Sequence, residues 1–152
     1  MEDLEKNSPT QTARNVFLDV LLPVSGCISY EMFSVNIMNT THITKFLGPS
    51  HPVLAEILWF NAHCGLGIYL YRQKIFHSAP ISYRIVYSAF LTAMFNFGSA
   101  LLWGTSKMIL PTSSGIRTLC GVGSGLVFLF TGWHFMKFLN TKSSFSSSDN
   151  EE

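Results

Sequence analysis

Three apolar runs, each long enough to cross a bilayer, constrain this chain more than any other feature. A helix rises about 1.5 Å per residue, so about 20 mostly apolar residues cross the ~30 Å hydrocarbon layer. Residues 53–71 are interrupted only by Glu56, Asn61 and His63. Residues 85–103 carry no charge. Residues 119–138 carry none before Lys137 except a titratable His134. A fourth run, 16–37, holds Asp19, Glu31 and Pro23, each costly or disruptive in lipid. It reads either as an amphipathic helix lying in the interface or as a span whose acids the other helices shelter. Its length and apolar content favour the span. The expected fold is all-α, a multi-pass membrane bundle of four transmembrane helices, with three as the alternative.

Composition agrees. Only 12% of the residues are charged, against roughly 25% in soluble domains, and the mean hydropathy is +0.28. A net charge of +1 supplies no field to draw in nucleic acid. Cys27, Cys64 and Cys120 lie inside the apolar runs, with no CxxC pair and no metal-ligand spacing, so they read as small hydrophobes and no metal is expected. No HExxH, GxSxG, Walker loop or phosphate-cradling glycine motif occurs, so neither catalytic residues nor a cofactor are expected. The glycines of Gly121-Val122-Gly123-Ser124-Gly125 sit inside an apolar span. His63 and His134 differ in depth by roughly 7–8 Å, too much for a shared haem.

The polar segment 1–15, with Glu2, Asp3 and Glu5, lacks the basic start and apolar centre of a leader peptide. Residues 139–152 form a Ser-rich, acidic tail expected to lack order. Basic residues orient the bundle. Four spans put Lys6, Arg14, Arg72, Lys74, Arg84, Lys137 and Lys142 on one side and Lys45, Lys107 and Arg117 on the other. That excess places both termini in the cytosol, whereas three spans would divide the ten basic residues evenly. Trp103 and Trp133 are expected near opposite membrane faces. Asn39-Thr40-Thr41 is a glycosylation sequon on the lumenal side. Ser146 and Ser148 each precede an acid by three residues, the pattern of an acid-directed kinase site.

Matching depths between helices suggests a polar track. Glu31 and Glu56 fall in the outer third, Asn61, His63 and Asn96 near the midplane, and Asp19 with His134 in the inner third. Such groups either work as an intramembrane site for a lipid head group or protons, or act as interhelical glue worth about 0.6–2 kcal/mol each. Glu56 and His63, seven apart, share a helix face. Ser88, Thr92, Asn96 and Ser99 form a polar stripe on the third span. Gly121, Gly125 and Gly132 form a small-residue face on the fourth, suited to packing within the bundle or against a partner.

The stretch Phe95-Asn96-Phe97-Gly98-Ser99-Ala100-Leu101-Leu102 resembles one in the small endoplasmic-reticulum scaffold family of ergosterol biosynthesis, which tethers the enzymes of sterol C-4 demethylation. The four-span layout and length are also similar. The family favours His at the place of Asn96 and Glu at the place of Ala100, and this chain departs at both. The resemblance implies a reticulum scaffold and carries over no site residue.

The expected function is that of a non-enzymatic scaffold or accessory subunit of the early secretory pathway, with a lipid or sterol connection. Its expected partners are membrane lipids and other membrane proteins, a second copy included. The competing reading is a small lipid-handling enzyme or transporter using Glu31, Glu56 and His63.

Overall fold

The computed structural model describes residues 9–148, and their side chains except at 9, 10, 42, 46, 47 and 144–148. Helix α1, Pro9–Val16, passes through one π-helical turn, Phe17–Leu21, into α2, Leu22–Met38. Asn39 leaves helical geometry (φ −122°, ψ 33°) and separates α2 from the short α3, Thr40–Leu47. Gly48 then adopts φ +57°, a backbone that side chains disfavour. With Pro49 behind it, the chain turns back into α4, His51–Tyr71. A 3₁₀ turn, Lys74–Phe76, leads to α5, Ile81–Ile109, and a short link to α6, Ser114–Ser148. Proline sets both boundaries of α5: Pro80 is extended before it, and Leu110, preceding Pro111, is extended after it.

Four helical stretches are long and apolar enough to cross a membrane: Gln11–Met38, Gly48–Tyr71, Ile81–Ile109 and Ser114–Ser143. The chain is a small multi-pass membrane protein. Each helix outruns its apolar run, because backbone hydrogen bonding stops at prolines and glycines rather than at the edge of the hydrocarbon. The fourth helix in particular runs to Ser148, into the segment expected to lack order from residue 139. Residues 1–8 and 149–152 of the two terminal segments lie outside the described residues, as do the side chains of Ser146 and Ser148.

The span interrupted by Asp19, Pro23 and Glu31 is the hub. Helix α2 packs on α4, α5 and α6, most extensively on α4, whereas α5 and α6 barely touch each other. The α2–α4 crossing is set by Gly26 and Gly65. A methyl group on Gly65 would sit 2.6 Å from the Gly26 Cα, and one on Gly26 would sit 2.7 Å from the Gly65 Cα. In lipid no hydrophobic drive joins helices, so such backbone contact and the dispersion it permits hold the pair.

Further along α2 the core is aromatic. Tyr30 lies 5.3 Å from Phe95 and 5.0 Å from Trp103, centroid to centroid. Trp103 is 1% exposed and its indole N–H donates to Ser124 Oγ of α6 at 3.0 Å. Trp103 thus turns into the bundle rather than toward lipid and finds its polar partner within the protein. Trp133 is 50% exposed.

Polar contacts lace both ends of the bundle. At the end carrying Asn39, Asn36 Oδ1 lies 2.7 Å from His51 Nε2, and Lys107 donates to Thr40 Oγ1 at 3.1 Å. Arg117 donates to the carbonyls of Lys107, Leu110 and Pro111. At the end carrying Arg72, Arg84 donates to the Tyr71 carbonyl and lies over its ring. Asn140 donates to Gln73 at 2.7 Å.

Candidate functional site

The polar residues singled out in the sequence divide among separate faces. Asn61 points into the α2–α4 seam, where its amide donates to the Ser25 carbonyl at 3.1 Å and to Ser29 Oγ at 2.8 Å. This is the glue geometry of intramembrane asparagines. Asn61→Ala is expected to lower the bundle's stability in detergent by about 1 kcal/mol. Thermal unfolding of the purified variant measures it, and a loss of function with stability intact would restore Asn61 to a working role.

His63 lies elsewhere. Its ring stacks on Trp59 (4.1 Å) and faces Phe97 (5.8 Å). Nδ1 lies 2.9 Å from the Trp59 carbonyl oxygen, which makes it the donor, and the buried Nε2 has no partner among the described residues. Glu56, two turns earlier on α4, is exposed on the outside of the bundle. No hydrogen bond or ion pair reaches it among the described residues. Glu31 occupies a third place. Both of its carboxyl oxygens are buried without a hydrogen-bond partner, pressed on the α6 backbone where Gly125 leaves room. A methyl group on Gly125 would fall 2.7 Å from each oxygen. The outer Glu31–Glu56 pair therefore does not form, and neither does the midplane cluster.

The inner pair is also different. Asp19 makes a bidentate ion pair with Arg72, with the Nη2–Oδ2 contact at 2.8 Å, while His134 is exposed beside Phe130. Antiparallel neighbours bring the start of the first span level with the end of the second, so Arg72 reaches Asp19. Both side chains are more than a third exposed, so the pair contributes no more than about 1 kcal/mol.

The two packing faces both turn inward. Ser88, Thr92, Asn96 and Ser99 are all buried, and each bonds back to a carbonyl of its own helix: Thr92 to Ser88, Asn96 to Thr92, Ser99 to Phe95, Ser88 to Arg84. Gly121 lies against Met38 and Ser34, Gly125 against Glu31, and Gly132 near the Phe95 ring. Apart from Asn96 and Gly132, which also border a cavity, these surfaces are occupied by the protein's own helices, so a partner protein has to bind elsewhere. The sequon asparagine is engaged too: Asn39 is 5% exposed and its amide nitrogen, the atom a sugar would occupy, donates to Thr118 Oγ1 at 2.7 Å.

Several further residues that shape the site carry a spacing signal in the sequence. Gly26 lies between Ser25 and Ser29, a small-xxx-small pair on α2, and Gly65 follows Asn61 by one turn on α4. The contact between those stripes is the main helix crossing. A cavity of about 540 Å³ is the other feature that the sequence concealed. It opens where α5 and α6 diverge, over the half of α2 nearest Asp19 and Arg72. Among the described residues no group of three His, Cys, Asp or Glu side chains is placed to hold a metal ion. No family model, no curated protein and no solved structure matches this chain.

Proposed function

We propose that this protein is a non-enzymatic accessory or scaffold subunit that pairs with another membrane protein through the outward face of α4 around Glu56. The observation that carries this reading is Glu56 itself: a carboxylate about 4.5 Å, one turn, inside the apolar run 53–71, exposed on the outside of the bundle, with no partner among the described residues. An ionised group held there against lipid is costly, though less so than at a helix centre. A hydrogen-bond donor or a cation on a neighbouring protein's helix removes that cost. Ile57 and Phe60, exposed beside it, supply the apolar part of the same surface. The competing enzyme or transporter reading needs Glu31, Glu56 and His63 to converge, and they lie on three faces.

The excess of basic residues at the Arg72 end and the resemblance of residues 95–102 to a reticulum scaffold family support an endoplasmic-reticulum location with both termini in the cytosol. A photo-crosslinking residue at Phe60, activated in native membranes, is expected to capture one membrane protein. Glu56→Ala is expected to reduce that capture at least fivefold while leaving the purified bundle's melting temperature within about 2 °C. Capture of lipid alone, indifferent to Glu56→Ala, would sink the proposal.

A further inference from the structure

The 540 Å³ cavity has the size of a ligand site, and such sites usually measure about 300–1,000 Å³ with mostly apolar walls. Its walls include Val24 of α2, Leu70 of α4, Leu91 and Phe95 of α5, and Leu129 and Trp133 of α6. Gly132 contributes no side chain to the wall, so the space continues to the Phe95 ring, 3.7 Å from where its Cβ would lie. The cavity communicates with the outside: Leu91 is 39% exposed and Trp133 50%. Walls this apolar exclude water, and an empty void would forfeit dispersion contact along its whole lining. The surrounding solvent is hydrocarbon chain, which fits both conditions.

Charge beside the cavity selects the lipid. Asp19 borders the cavity, but Arg72 neutralises it. Lys137 stands one turn beyond the wall residue Trp133, its ammonium 5.4 Å from the indole centroid, exposed and with no carboxylate partner among the described residues. An apolar shaft with an unpaired cation on the ring of one of its walls matches an acyl chain joined to a negative head group. We infer that the cleft between α5 and α6 binds one anionic glycerophospholipid, with an acyl chain seated against Leu91, Phe95 and Leu129 and its phosphate on Lys137. This site meets α4 only through its half nearest Arg72, Ala62 to Leu70, away from the exposed surface around Glu56, and stands or falls independently of it.

The test is native mass spectrometry of the full chain in mild detergent, titrated separately with phosphatidylserine, phosphatidylcholine and cholesterol. The expected result is one tightly retained phosphatidylserine, with phosphatidylcholine held at least threefold more weakly and cholesterol not saturating the site. Lys137→Ala, on the surface and harmless to packing, should weaken phosphatidylserine about fivefold and remove the preference. Gly132→Phe, which fills the shaft, should abolish stoichiometric retention. Leu91→Trp serves as a second filling variant if Gly132→Phe does not fold. Equal retention of phosphatidylserine and phosphatidylcholine, preferential retention of cholesterol, or undiminished retention in a folded cavity-filled variant would each overturn the inference.

Discussion

Gly65→Leu is expected to unfold the bundle in detergent, at a cost of about 3 kcal/mol or more. The reason is that nothing at the crossing can yield. Even a methyl group on Gly65 would meet the Gly26 Cα at 2.6 Å and the Leu22 carbonyl oxygen at 2.8 Å, and both are backbone atoms of another helix. Accommodation requires α2 and α4 to move apart, which also breaks the Asn61 bonds to Ser25 and Ser29. Gly123→Leu is the matched control, because a Cβ there meets nothing within 4 Å. It should unfold at the same temperature as the native chain. Thermal or SDS-titrated unfolding of both variants, followed by circular dichroism, gives the comparison. A Gly65→Leu protein as stable as Gly123→Leu would refute the assigned crossing.

The second large effect couples two residues. Gly125→Leu should destabilise the bundle by about 2–3 kcal/mol, since its side chain claims the place of the Glu31 carboxyl. Gly125→Ala should do so to a smaller extent. Combining Gly125→Ala with Glu31→Ala should recover at least about 1 kcal/mol relative to the sum of the single changes, as expected of residues in direct contact. Glu31→Gln alone should be tolerated, because it keeps the shape and has no charge to bury. Strict additivity in this cycle would separate Glu31 from Gly125. The same geometry alters how a functional loss in Gly125→Leu is to be read: it reports a broken bundle rather than a lost partner surface. Glu56, on the outside, is the residue whose substitution separates the two.

The spans were legible because a bilayer demands length and apolarity, and both are properties of a sequence window. The proline and glycine stops at Gly48, Pro80 and Pro111 were equally legible, since local backbone chemistry decides them. The rank of the helices was not. Asp19, Glu31 and Pro23 mark the first span as the poorest one, yet the same polarity is what suits α2 to the centre, where Arg72 meets Asp19 and α6 covers Glu31. Depth matching compares residues along the membrane normal and is blind to rotation about each helix. That is why Glu56 and Glu31 seemed paired, although one faces outward and the other faces α6. Small-residue spacing carried the missing rotational information. Gly121 and Gly125 carry it, and so do Ser25, Gly26, Ser29 and Gly65. The cavity depends on two helices failing to meet, and no local pattern encodes a gap.

The central position of α2 has a consequence for biosynthesis. Of the four spans, the first to be made depends on the other three. Asp19 waits for the end of the second span, the Tyr30 ring waits for the third, and the Glu31 carboxyl is covered only when Gly125 of α6 arrives. The bundle therefore cannot settle span by span: α2 reaches its native surroundings only when all four helices are in place.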